Sequence, residues 1–168
     1  MEVNVCLLLD KAEFEIKTLD DELRVDDLCR KLLLRFYEHL LNEQVSPGEA
    51  SVLASSADYF IRDFVIDKMR RNILDENPEI VRQFAGNWYI VNSLEPNLQE
   101  LSGHVGGILS FYRFLYRAGS VSASYLDAIE KGCNDLGFYE ERINSFWDIK
   151  RNCWHIFTAK KKRHFRTL

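Results

Sequence analysis

Three prolines and eight glycines in 168 residues are too few for a collagen-like, linker-rich or low-complexity chain. The four cysteines, Cys6, Cys29, Cys133 and Cys153, stand far apart and form no CxxC pair. That spacing spells out no disulfide framework, and free reduced thiols packed as small hydrophobes are expected. Long apolar runs are missing too. The longest, Val5 to Leu9, falls far short of the ~20 residues that cross a bilayer, so no transmembrane helix and no membrane partner are expected. Glu2 and Asp10 flank that run and no basic residue precedes Lys11, the wrong charge order for a secretory signal. A cytoplasmic location is the expectation that follows.

Catalytic signatures are equally scarce. No P-loop, GxGxxG, HExxH, GxSxG or EF-hand spacing occurs. None of the four histidines, His39, His104, His155 and His164, has a second His or Cys at i+3 or i+4, and Cys153 with His155 suits neither one helical face nor a zinc pair. The densest carboxylate pairs are Glu13 with Glu15, Asp26 with Asp27, Glu76 with Glu79, and Glu140 with Glu141. None sits in an ExxH pattern, and the preference of helix starts for acids accounts for Asp26, Asp27 and Glu79. No enzyme activity, cofactor or metal is therefore expected.

What the chain does have is 46% hydrophobic and 29% charged residues, the profile of one globular domain. A chain of this length buries roughly 68 to 70% of its unfolded surface and holds itself together without staples. Its net charge of -4 hides a partition, because residues 1–149 carry -11 and residues 150–168 carry +7 with no acid. The basic residues of that tail are Lys150, Arg151, Lys160, Lys161, Lys162, Arg163 and Arg166, interleaved with Trp154, His155, Phe157, His164 and Phe165. Phosphate neutralisation with base stacking uses such a run, although a solvated terminus has the same composition.

Nearly every segment has helical period. Leu28, Leu32, Phe36 and Leu40 form one stripe of a helix over Asp26 to Leu41. Before it, Val3, Val5 and Leu7 alternate like a strand while Leu7, Leu8 and Leu9 suit a short buried helix, which is the reading adopted. Ser46-Pro47-Gly48-Glu49 has the order of an N-cap, a first-turn proline and a capping-box acid. It predicts a helix running to about Ile73 with Leu53, Ala57, Phe60 and Phe64 on one face. Asn77-Pro78 opens another, ending near Asn92. Leu98 to Arg117 continues with Gly119 as a left-handed stop, Ser122 caps a helix that carries Leu126, Ile129 and Cys133, and Gly137 breaks it. Phe138 to Ile149 makes a last helix, which Cys153 to Phe157 either extends or follows as a lone extended segment. The expected fold is all-α, a compact bundle of six or seven helices. One domain spans 1–149, with a possible subdivision near 74–77, and a basic tail spans 150–168.

Two constellations stand out. Gly103, Gly106 and Gly107 surround His104 inside a helical pattern, where each glycine costs about 1 kcal/mol relative to alanine. They permit either close packing against a neighbouring backbone or the approach of a ligand. Phe111, Tyr112, Phe114 and Tyr116 cluster with Arg113 and Arg117. Tyr112 and Leu115 face the core, so the other rings lie towards the edges of the stripe and fill a second core contact or meet a partner.

From Trp88-Tyr89-Ile90 through Ile129, above all in Ile108-Leu109-Ser110-Phe111-Tyr112-Arg113-Phe114-Leu115-Tyr116-Arg117-Ala118-Gly119-Ser120-Val121-Ser122, the chain resembles the helical core-binding (SAM-like) domain of phage-integrase-type tyrosine recombinases. The resemblance covers about 40 residues and implies a helical module that clamps duplex DNA, with Arg113 and Arg117 at the positions most like phosphate contacts. The chain lacks that family's catalytic domain, so strand cleavage is not implied, and its acidic body departs from a DNA clamp unless the tail supplies positive surface. Two functions are thus carried forward. One is non-catalytic association with nucleic acid, in which Lys160, Lys161, Lys162, Arg163 and Arg166 meet phosphates, Trp154 and Phe165 stack, and Arg113 and Arg117 add second-site contacts. The other is a protein-interaction or homo-oligomerisation module whose surplus aromatics form the interface.

Overall fold

A computed structural model describes the backbone of residues 9–164 and the side chains of residues 9–153. The expected short helix around Leu7, with Cys6, falls largely outside the described residues. Among them there is no strand, and six helical rods pack on one core.

A 3-10 turn at Lys11–Phe14 leads into α1 (Leu19–Asn42). This helix begins seven residues before its expected start. Thr18 and Asp21 close a full capping box, in which Thr18 Oγ1 accepts from the Asp21 N–H and the Asp21 carboxylate accepts from the Thr18 N–H. The bonds from Thr18 and the backbone N–H of Lys17, with Arg24 alongside, hold the Asp21 carboxyl down at about 2. Asp26 and Asp27 are consequently mid-helix residues and not a helix start. Asp27 pairs with Lys31, and Asp26 receives Arg62.

The second rod is α2 (Pro47–Asp58) running without interruption into a π-helical segment, Tyr59–Lys68. Ser46 Oγ accepts from the Glu49 N–H as expected of the cap. The rod stops at Lys68, short of Ile73, because Arg70 takes φ +50° and Asn72 organises a turn instead. Asn72 accepts from the Leu74 N–H and donates to the Lys11 carbonyl and to Glu15 Oε1, so Ile73 and Leu74 enter the core from a loop.

The third rod joins α3 (Ile80–Gln83), a second π-helical segment (Phe84–Trp88) and α4 (Tyr89–Asn92). Pro78 lies in the turn before it, where Asn77 Oδ1 accepts from the Glu79 N–H. Next, α5 (Leu98–Arg117) matches its expected bounds at both ends. Asn97 caps it by accepting from the Glu100 N–H, and Gly119 at φ +73° lets the Ser120 N–H reach back to the Leu115 carbonyl. Ser122 caps α6 (Ala123–Asn134), with Glu76 accepting from both its N–H and its hydroxyl. The break before α7 (Leu136–His164) falls at Asp135, where Arg82 holds the carboxylate at 3.0 Å, and Gly137 lies inside the new helix. Cys153 to Phe157 extend α7.

The most extensive packing is between α5 and α2. A Cβ on Gly107 would lie 2.5 Å from Ser56 Cβ and 2.6 Å from the Leu53 carbonyl oxygen, so only glycine fits this crossing. Gly103 and Gly106 have no neighbour within 4 Å of a Cβ, so close packing explains one of the three glycines. Phe111 and Phe114 are interior residues, 5.4 Å and 5.6 Å from the Phe36 ring on α1, whereas Tyr116 is 44% exposed. Replacing Gly103 or Gly106 with Ala is expected to raise stability by about 0.5 to 1 kcal/mol each, read as an upward shift of the urea midpoint at constant slope.

Candidate functional site

Two regions carry chemistry. The first is the far part of α7, whose 29 residues span about 43 Å. Its first half is tied to the body by buried Tyr139 and Ile143 and half-buried Phe146 and Trp147. The Tyr139 hydroxyl donates to the Gly132 carbonyl, Arg142 Nε to the Gly86 carbonyl and Trp147 Nε1 to the Pro96 carbonyl. After Trp147 every side chain from Asp148 to Cys153 is exposed, so the helix leaves the body there. Lys150 lies over the Phe146 and Trp147 rings at 4.7 Å and 5.4 Å, and Arg151 pairs with Asp148. Lys160, Lys161, Lys162 and Arg163 occupy the last turns of the same helix. Their side chains, that of Trp154, and the whole of Phe165 and Arg166 lie outside the described residues.

Arg113 and Arg117 do not join this helix. Arg113 on α5 donates to Glu130 on α6 at 2.6 Å, and Arg117 donates to Glu43 at the end of α1. Each guanidinium already faces a carboxylate, and each is about half exposed. A phosphate would have to displace that carboxylate, an exchange that exposure makes inexpensive because surface pairs contribute only about 0 to 1 kcal/mol.

The second region surrounds His104. An open depression of about 680 Å³ is lined by Tyr59, the loop from Ser93 to Asn97, Glu100 and His104. The two π-helical segments supply much of the aromatic packing behind it. Phe84 lies between Phe60 at 5.2 Å and Phe64 at 5.5 Å, and Tyr59 is 5.3 Å from Trp88. The His104 ring sits 4.9 Å from Tyr59 and 5.7 Å from Tyr89. Glu100 Oε2 accepts from the Tyr89 hydroxyl at 2.8 Å, which in turn accepts from the Asn97 N–H, while Glu100 Oε1 stays 3.9 Å from His104 Nε2. Burial pushes the Tyr89 phenol up to about 12. Burial also lowers the His104 pKa, against the pull of Glu100, and Nδ1 has no hydrogen-bond partner among the described residues. A neutral imidazole packed on rings follows, with two carboxylates, Glu95 and Glu100, at the rim.

Tyr59, Tyr89 and Glu100 were not singled out in the sequence beside His104. Asn97-x-x-Glu100 is the one local signal, since a cap acid placed there faces the His104 turn one step along the helix. No group of three or more His, Cys, Asp or Glu is placed to share a metal ion among the described residues. Cys29 and Cys133 are buried and free with pKa values pushed up to about 12 by desolvation, so both are packing thiols, and Cys153 is free and exposed. No family model matches the chain, and no curated protein or solved structure matches it.

Because the folded pKa of His104 lies below its unfolded value of about 6.5, the unfolded chain binds the proton more readily there. The stability held by neutral His104 is present above about pH 6.5 and declines as pH falls below it. Urea midpoints at about pH 7 and about pH 5.5 should therefore fall further for the native chain than for His104→Phe, which keeps the ring packing and removes the titration.

Proposed function

We propose that this is a non-catalytic, cytoplasmic protein that associates with nucleic acid through the basic outer half of α7. The observation that carries the reading is the partition of charge onto a helix that departs from the body. Residues 150–168 hold +7 and no acid, and the side chains of α7 from Asp148 to Cys153 are all exposed. Lys160, Lys161, Lys162, Arg163 and Arg166 neutralise phosphates in this reading, and Trp154 and Phe165 offer faces for base stacking. Arg113 and Arg117 add contacts by trading Glu130 and Glu43 for phosphate. The resemblance of residues 88–129 to the core-binding domain of tyrosine recombinases fits a duplex-contacting module without strand cleavage. The acidic body, at -11, repels the polyanion, so the helix carries the main contact and Arg113 and Arg117 only supplement it.

Fluorescence anisotropy with a generic duplex and a single strand tests this on the full chain. Binding is expected to weaken with salt along a log-log slope of about -0.9 per phosphate contact on duplex. The combined Lys160→Gln, Lys161→Gln, Lys162→Gln and Arg163→Gln variant should lose up to about 3.6 of that slope. No binding at low salt, or an unchanged slope in the variant, contradicts the reading and leaves the interaction-module function in its place.

A further inference from the structure

The outward face of α1 has a pattern that neither the core nor the nucleic-acid reading uses. Its inner face is buried against α2 and the first π-helical segment through Val25, Cys29, Leu32, Leu33, Phe36 and Leu40. On the other side Leu19 and Leu23 are each 65% exposed and Leu34 is 59% exposed, three large apolar side chains on one helix face. Leu23, Asp27, Arg30, Leu34, Tyr37 and Leu41 follow one another at alternating steps of four and three, the spacing of a coiled-coil seam. One edge of the seam adjoins the core at Leu33 and Leu40, and Tyr37 and Leu41 are partly buried against it, so the stretch open to a second helix runs from Leu23 to Leu34.

The charges in the middle of the seam choose the occupant and its direction. Two copies packed in parallel would set Asp27 against Asp27 and Arg30 against Arg30. Packed antiparallel about a two-fold axis between residues 28 and 29, the same helix sets Asp27 against Arg30 of the second copy twice. The register then brings Leu23 against Leu34 of the second copy twice and puts Tyr37 against Asp20 at each end. Such a surface is complementary to itself, as a two-fold interface requires. Within one chain Asp27 is held only by exposed Lys31 at 2.7 Å, and Arg30 has no carboxylate partner among the described residues, so both are available. We propose that the protein self-associates as an antiparallel dimer through the outer face of α1, with paired Asp27–Arg30 contacts at the centre and Leu23–Leu34 contacts on either side. The proposal does not depend on nucleic-acid binding.

Sedimentation equilibrium of the full chain at micromolar concentration provides the test, with circular dichroism confirming that each exposed-site variant stays folded. The native chain is expected to be dimeric. Asp27→Arg and Arg30→Asp should each weaken the dimer by about tenfold or more, since each sets like charges together. Mixing the two single variants should give a heterodimer, and the double exchange D27R/R30D should restore self-association. Leu34→Asp should abolish it. A monomeric native chain overturns the proposal and leaves the face to the amino-terminal segment or to a different protein. A dimer indifferent to Leu34→Asp, or single-charge variants with no effect and no rescue on exchange, overturns it equally.

Discussion

The approach of α5 to α2 at Gly107 sets the spacing on which the rest of the molecule depends. At this crossing the two backbones come so near that a methyl group on residue 107 would overlap both Ser56 and the Leu53 carbonyl. One and two turns on, Phe111 and Phe114 then reach Phe36 and tie α1 to the bundle, while Tyr112 lies 6.3 Å from Phe60 and 5.6 Å from Tyr125 and joins the second rod to α6. One turn back, His104 is set against Tyr59. A wider crossing would pull these rings apart together, because interiors packed at crystal-like density do not stretch.

The aromatic layer next to that crossing explains why two rods leave the α-helical ladder where they do. Tyr59, Phe60, Phe64, Phe84 and Trp88 meet within one layer, and the two π-helical segments hold all five. Widened turns of this kind recur at functional positions. Here they place Tyr59 at the edge of a depression that it lines together with the His104 imidazole and the carboxylates of Glu95 and Glu100. Arg62 spans Asp26 and Asp58 at 2.7 Å and 3.0 Å, locking the first π-helical segment to α1 with charge-assisted bonds.

Local punctuation was legible in the sequence and longer-range geometry was not. Gly119 ends α5 as expected because capping is decided within a few residues, and Ser46 and Ser122 mark their helices for the same reason. The start of α1 was missed because Leu19 and Leu23 face outward, so a search for a core stripe begins only at Leu28. Ile73 has the spacing of a buried helical residue yet enters the core from a turn built by Asn72. Gly137 looks like a breaker, but the bond from Tyr139 to the Gly132 carbonyl and the Arg82–Asp135 pair set the corner two residues earlier. For the sites, His104 and the basic run were visible as residue types. Their surroundings depend on chain crossings that one-dimensional periodicity does not contain, as does the pairing of Arg113 and Arg117 with Glu130 and Glu43.

The dependence on the crossing is measured most directly by Gly107→Ala. In an unconstrained helix this change stabilises by about 1 kcal/mol. Where the added carbon has a backbone oxygen and a Cβ in its way, it should destabilise by about 1 to 3 kcal/mol in chemical denaturation, as overpacked cores do, with near-ultraviolet dichroism of the rings reduced. A variant as stable as the native chain, with its aromatic signal intact, would contradict the claim that α5 and α2 are held together at Gly107.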